Sequence, residues 1–145
     1  MGSADNAALN AAVQRFKLAP AAVARFAFDV DHAGRFSVPM VSAHGIGDAT
    51  VFVDGSDTLR QRVAAAGNGQ RLVQNFVDSA EHSYWGDAYY PPLFNALLNW
   101  VENGQKPTPA DIAASCVQQP SAAAKDCQFL PDYVNKSLAS RIFVR

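Results

Sequence analysis

The sequence predicts an α/β fold built on a parallel strand-helix-strand-helix unit. Three observations carry that reading. From residue 38 onward, short apolar runs alternate with amphipathic stretches that carry helix start and stop signals. Hydrophobic residues make up 49% of 145 residues, enough for the core of one domain. Charged residues are only 17%, which excludes a disordered chain. The unit spans residues 37–107. An N-terminal helix and hairpin precede it over residues 1–36, and an irregular tail follows over residues 108–145.

The first element runs from Ala4 to Leu18. Asp5 suits its N-cap, Leu9, Val13 and Phe16 recur at helical spacing, and Pro20 stops it. "VARFAFDVDHAGRFSV" then reads as two short extended pieces around "DHAG", because Phe26, Phe28 and Val30 alternate with the strand period. "VPMVSA", Val38 to Ala43, is short, apolar and not amphipathic, so it reads as a buried strand. "SDTLRQRVAAAG" reads as a helix with Ser56 as its cap, Asp57 at the positive end of its dipole and Gly67 at its left-handed end. Leu59, Val63 and Ala66 share one face. "GQRLVQNFV" is the second buried strand. "YYPPLFNALLNWVENG" is the next helix, opened by prolines and closed at Gly104, with Leu93, Leu97, Trp100 and Val101 toward the core. After "QKPTP" the chain reads as irregular.

Composition narrows the function classes. A net charge of -1 offers no basic stripe for nucleic acid. No apolar run approaches the roughly 20 residues of a membrane span. "MGSADNAALN" has no basic n-region or apolar h-region, so it does not read as a signal peptide, and "MGS" has the look of a cloning remnant. Cys116 and Cys127 flank a polar loop. A disulfide is the first reading and would put the protein in a secreted or periplasmic, oxidising setting; two free thiols are the alternative. His32, His44 and His82 are scattered and give no metal-ligand spacing, and no cofactor motif is present.

In a parallel unit, the loops after the strands face the ligand side of the sheet. Here these are "AHGIGDATV", which offers Asp48, and "DSAEHSYWGD", which offers His82. Neighbouring strands lie about 4.8 Å apart, so the two side chains can meet. A carboxylate that orients a histidine lets the ring take a proton from a nucleophile and return it to a leaving group. Asp54, Asp57, Asp78, Glu81 and Asp87 are rival acids. Asp57 is better used at its helix start, and the partner of His82 should come from the neighbouring loop. His44 reads as structural and His32 as a solvated turn residue. Tyr84, Trp85, Tyr89 and Tyr90 cluster after His82. Packing on the following helix is their first use, and a substrate wall of Tyr84 and Trp85 with Phe52 is the second.

"VPMVSAHGIGDATVFV" resembles the acid-bearing strand and turn of the α/β-hydrolase fold, written "P-x-L-x-x-H-G-x-x-D-x-x-V". Pro39, His44, Gly45, Asp48 and Val51 match it. "AEHSYW" resembles the histidine loop, and Trp100, Gly104 and Pro107 match the "W-x-x-x-G-x-x-P" ending found in bacterial esterases of that fold. The resemblance covers residues 38–107. It implies the C-terminal part of a serine hydrolase of carboxylic esters, with Asp48 as triad acid and His82 as base, and residues 1–36 as a lid remnant. A peptidase of the same fold shares this ending. The family's nucleophile motif, "G-x-S-x-G", is absent from this chain: no serine has glycine two before and two after. The nucleophile is therefore expected on upstream sequence or another chain, and this chain alone is expected to be inactive. The other reading is a small non-catalytic binding or interaction domain. A two-stranded unit has exposed edges, so self-association is also expected.

Overall fold

The computed structural model describes residues 5–120 and 126–137. It divides into two units, Met1–Asp31 and His32–Arg145. The predicted helix start at Ala4 and the closing segment beyond Ser137 lie outside the described residues.

The first unit is helical throughout its regular structure. Helix α1, Asp5–Ala12, stops earlier than its periodicity suggests. The guanidinium of Arg15 donates to the Asn10 carbonyl at 2.6 Å, a group that a continuing helix would use for the amide of residue 14. Helix α2, Pro20–Val30, replaces the predicted extended pieces. Pro20 is pre-set for the first helical position, and Ala21, Ala22, Ala24 and Ala27 are strong helix formers. Val23, Phe26, Ala27 and Val30 also follow helical spacing, so the alternation of Phe26, Phe28 and Val30 misled.

The second unit is mixed α/β, and its sheet among the described residues has two parallel strands. Strand β1 is Met40–Gly45 and β2 is Leu72–Val77, in register from Met40 opposite Leu72 to Gly45 opposite Val77. Strand β1 begins two residues later than expected, just after Pro39, which has no N–H to give a ladder. Between them runs α3, Asp54–Ala65. It starts before Ser56, which is thereby freed from capping. Gly67 follows its end at φ +77°, as the stop signal indicates. Before α3, Gly34 stands at φ +67° with the space for a Cβ occupied by the Arg62 carbonyl. There the "DHAG" turn is held against α3, and only glycine fits.

After β2 come α4, Tyr90–Asn103, and α5, Pro109–Val117. Helix α4 has Pro91 and Pro92 in its first turn and Gly104 at φ +69° as its C-cap. Its inner face is Pro92, Leu93, Ala96 and Trp100; Val101 is 59% exposed, contrary to expectation. Helix α5 corrects the reading of an irregular tail. Thr108 and Asp111 form a reciprocal capping box with Pro109 at the first position.

The core gathers Val73, Trp100 and Ile112 with Val41, Leu93, Ala96 and Phe129. Side chains alternate along β2, so Val73 meets α4 and α5 while Gln74 reaches across the other face to the Ser56 carbonyl of α3. Helices therefore cover both faces. The chain returns along β2 on the side away from β1: Val77 bridges Phe129 antiparallel, and Leu130 donates to the Phe76 carbonyl at 2.8 Å. Among the described residues nothing pairs with the far edge of β1. No helix among them is long and apolar enough to cross a membrane.

Cys116 and Cys127 form a disulfide with Cα atoms 5.9 Å apart. Contrary to the sequence reading, Cys116 lies on a helix face, fully buried on α5. The bond holds the Phe129 segment near α5, so it supports the β2 edge. Removing it with a Cys116→Ala/Cys127→Ala pair should cost about 2–3 kcal/mol, from the chain entropy of the closed loop. Urea unfolding checks this, and an unchanged midpoint would contradict it.

Candidate active site

The site is built where the two strands end. The ladder does not stop with them: Ile46 donates to the Val77 carbonyl and Gly47 to the Ser79 carbonyl, both at 2.9 Å. These bonds draw the loop after β1 against the loop after β2. The approach is too close for side chains. A Cβ on Gly45 would stand 2.8 Å from the Ser79 oxygen, and one on Gly47 would stand 3.2 Å from it. The glycines of "HGIGD" thus serve contact between loops. The chain then turns, with the Asp48 amide on the Gly45 carbonyl at 3.3 Å, and delivers Asp48 inward.

Asp48 is 7% exposed and fully engaged. Its Oδ1 accepts from the amides of Thr50 at 2.8 Å and Val51 at 2.9 Å. Its Oδ2 takes Nδ1 of His82 at 2.8 Å. The His82 hydrogen bond and those from Val51 and Thr50 hold the carboxyl down at about 2, against an opposing push from burial. An ionised carboxylate only accepts, so His82 donates its Nδ1 proton, and in the neutral ring Nε2 carries a lone pair. Among the described residues that Nε2 has no hydrogen-bond partner. The His82 side chain is 45% exposed.

The pair opens on a cleft of about 280 Å³, walled by Ala43, His44, Val51, Ser83, Trp85 and Tyr90. Trp85 is fixed there by donating its indole N–H to the Glu81 carbonyl at 2.9 Å. Of the pocket candidates, Trp85 lines this cleft. Phe52 is 67% exposed and outside its lining, as is Tyr84, which stacks on Tyr90 and donates to Asp87 at 2.8 Å. Tyr89 packs inward on Trp85 and Phe129. Tyr90 was grouped with the aromatic cluster but not singled out as a wall residue. Its position in the first turn of α4, beside the histidine loop, is the signal that marks it.

Two of the rival acids are used elsewhere. Asp57 binds Arg60 and Gln61 on its own helix, and Asp87 holds Tyr84. His32 is exposed and accepts from the Gly34 amide at 2.9 Å. His44 bonds the Val51 carbonyl in the acid loop and the Ser56 hydroxyl on α3. No group of three or more potential metal ligands occurs among the described residues. Comparison with protein-family models, with curated proteins and with solved structures finds no match.

The Asp48 charge has a pH signature. Its pKa is depressed from 3.8 to about 2 in the fold. The stabilisation it brings is complete above 3.8 and is lost as pH falls through 2. Compared with Asp48→Asn, the protein should therefore show its full stability advantage at pH 5, and that advantage should shrink toward pH 2. Urea midpoints along the pH series read it out. A constant difference between the two proteins would contradict the assignment.

Proposed function

We propose that this chain is the C-terminal part of an α/β-hydrolase-fold serine hydrolase that cleaves carboxylic esters. The observation that carries the reading is the 2.8 Å contact of His82 Nδ1 with buried Asp48, both side chains lining one cleft. The two residues come from consecutive parallel strands, as the resemblance of residues 38–107 implies. That nothing among the described residues pairs with the far edge of β1 supports a larger sheet, continued by the segment that carries the nucleophile. The disulfide supports a secreted or periplasmic setting.

In this mechanism a serine hydroxyl from outside the chain meets His82 Nε2. The ring accepts the hydroxyl proton as the oxygen bonds to the ester carbonyl carbon. Asp48 keeps Nδ1 protonated and offsets the positive charge that the ring acquires. The ring returns the proton to the departing alkoxide, leaving an acyl-serine. Water then repeats the cycle: His82 takes its proton, the acyl carbon accepts its oxygen, and serine is released. Trp85 and Tyr90 supply apolar surface for the acyl or alcohol part.

A fluorophosphonate probe on the full-length protein tests the reading. Labelling at a serine upstream of this chain is expected, with labelling rates cut roughly 10³–10⁴-fold in Asp48→Asn and His82→Ala. No labelling, or labelling indifferent to both variants, would overturn it. This chain alone should not turn over p-nitrophenyl acetate, and His82-dependent turnover would count against an external nucleophile.

A further inference from the structure

We propose that His44 is the positioning residue of Asp48, acting through the backbone of Val51. The argument follows the hydrogen bonds outward from the carboxylate. Asp48 Oδ1 is fixed by two amides, of Thr50 and Val51. Both belong to the short turn before α3, where no strand partner holds the backbone. Val51 is held from its other side: its carbonyl takes Nε2 of His44 at 2.8 Å. A carbonyl only accepts, so His44 donates there. Val51 is thus held on both sides of its Cα, by the preceding peptide, whose N–H faces Asp48, and by the following one, whose C=O takes His44.

His44 can do this because it stands on rigid ground. It is the penultimate residue of β1, opposite Phe76 in the register. Its second nitrogen, Nδ1, lies 3.2 Å from the hydroxyl of Ser56 on α3. With the Nε2 proton on Val51, neutral His44 has a lone pair at Nδ1, and the hydroxyl donates to it. The Val51 carbonyl therefore sets the tautomer, and the Ser56 hydroxyl, which can donate or accept, complies with it. The two histidines beside Asp48 carry opposite tautomers, His82 with its proton on Nδ1 and His44 with its proton on Nε2.

That opposition has a consequence at the carboxylate. His44 Nε2 lies 4.0 Å from Asp48 Oδ2, the same oxygen that holds His82. Because its proton is committed to Val51, His44 does not compete for that oxygen. Oδ2 is left to His82 alone. The importance of this clamp for turnover rests on the hydrolase reading; the clamp itself does not.

The test is a carbon-13 titration of the Asp48 carboxyl by NMR in this chain and three variants. His44→Phe keeps the ring bulk and removes the donor. It should raise the Asp48 titration midpoint by about one pH unit, the loss expected when the Val51 amide is no longer aimed at the charge. His44→Gln carries an amide N–H at a reach similar to Nε2 and should recover at least half of that shift. A folded His44→Phe protein with an unchanged midpoint would overturn the proposal, and so would a His44→Gln midpoint equal to that of His44→Phe. If His44→Phe does not fold, His44→Asn decides, since its shorter amide does not reach as far as Nε2: a raised midpoint supports the clamp and an unchanged one overturns it. The titration needs no nucleophile, so its failure is distinct from failure of probe labelling in the full-length protein.

Discussion

Two backbone hydrogen bonds past the end of the sheet determine the rest of the site. Ile46 to Val77 and Gly47 to Ser79 continue the parallel ladder into the loops. They convert strand spacing into side-chain proximity. Asp48 and His82, 34 residues apart in the chain, meet because their loops are fastened at their roots. The same bonds explain two glycines. Any Cβ at 45 would push the Ser79 carbonyl away and open the joint. The α3 crossover joins the two strands, and the Val77–Phe129 bridge flanks the end of β2.

Asp48 then distributes its two oxygens. One is bound by backbone amides and sets where the carboxylate stands; the other orients an imidazole. A buried acid with three donors stays charged, and a charged acid fixes the tautomer of its histidine. This is an electrostatic arrangement set within the fold itself, which for the proposed hydrolase would leave little reorganisation to the reaction. Its supports are local except at one place. Among the described residues nothing pairs with the far edge of β1, and Phe94 and Leu98 of α4 stand exposed. The proposed nucleophile segment would find its place there by ordinary strand pairing and apolar burial.

Much of this was legible in the sequence, for identifiable reasons. The strand-helix-strand-helix order was readable because Gly67, Pro91, Pro92 and Gly104 punctuate it. Asp48 and His82 were readable because each follows a strand. The disulfide was readable from two cysteines flanking a polar loop, although Cys116 stands on a helix and not in an irregular segment. Other features were not. Phe26, Phe28 and Val30 fit two periods at once, and the alanines with Pro20 decided for helix. The Thr108–Asp111 capping box was overlooked inside a Pro- and Ala-rich stretch, which hid α5. The inner face of α4 was set by β1 and α5, not by its own pattern, so Val101 turned outward. Bonds between loops, such as His44 to Val51, depend on a turn conformation that no residue spacing announces.

The central claim is that Asp48 holds His82 as the Nδ1-protonated ring with Nε2 free. Nitrogen-15 and proton NMR of the His82 imidazole in this chain, at a pH where the ring is neutral, tests it most directly. The account predicts a protonated Nδ1 with a downfield, slowly exchanging proton and an unprotonated Nε2, and it predicts that this proton signal disappears in Asp48→Asn. An Nε2-protonated ring, or a spectrum unchanged by Asp48→Asn, would contradict the account.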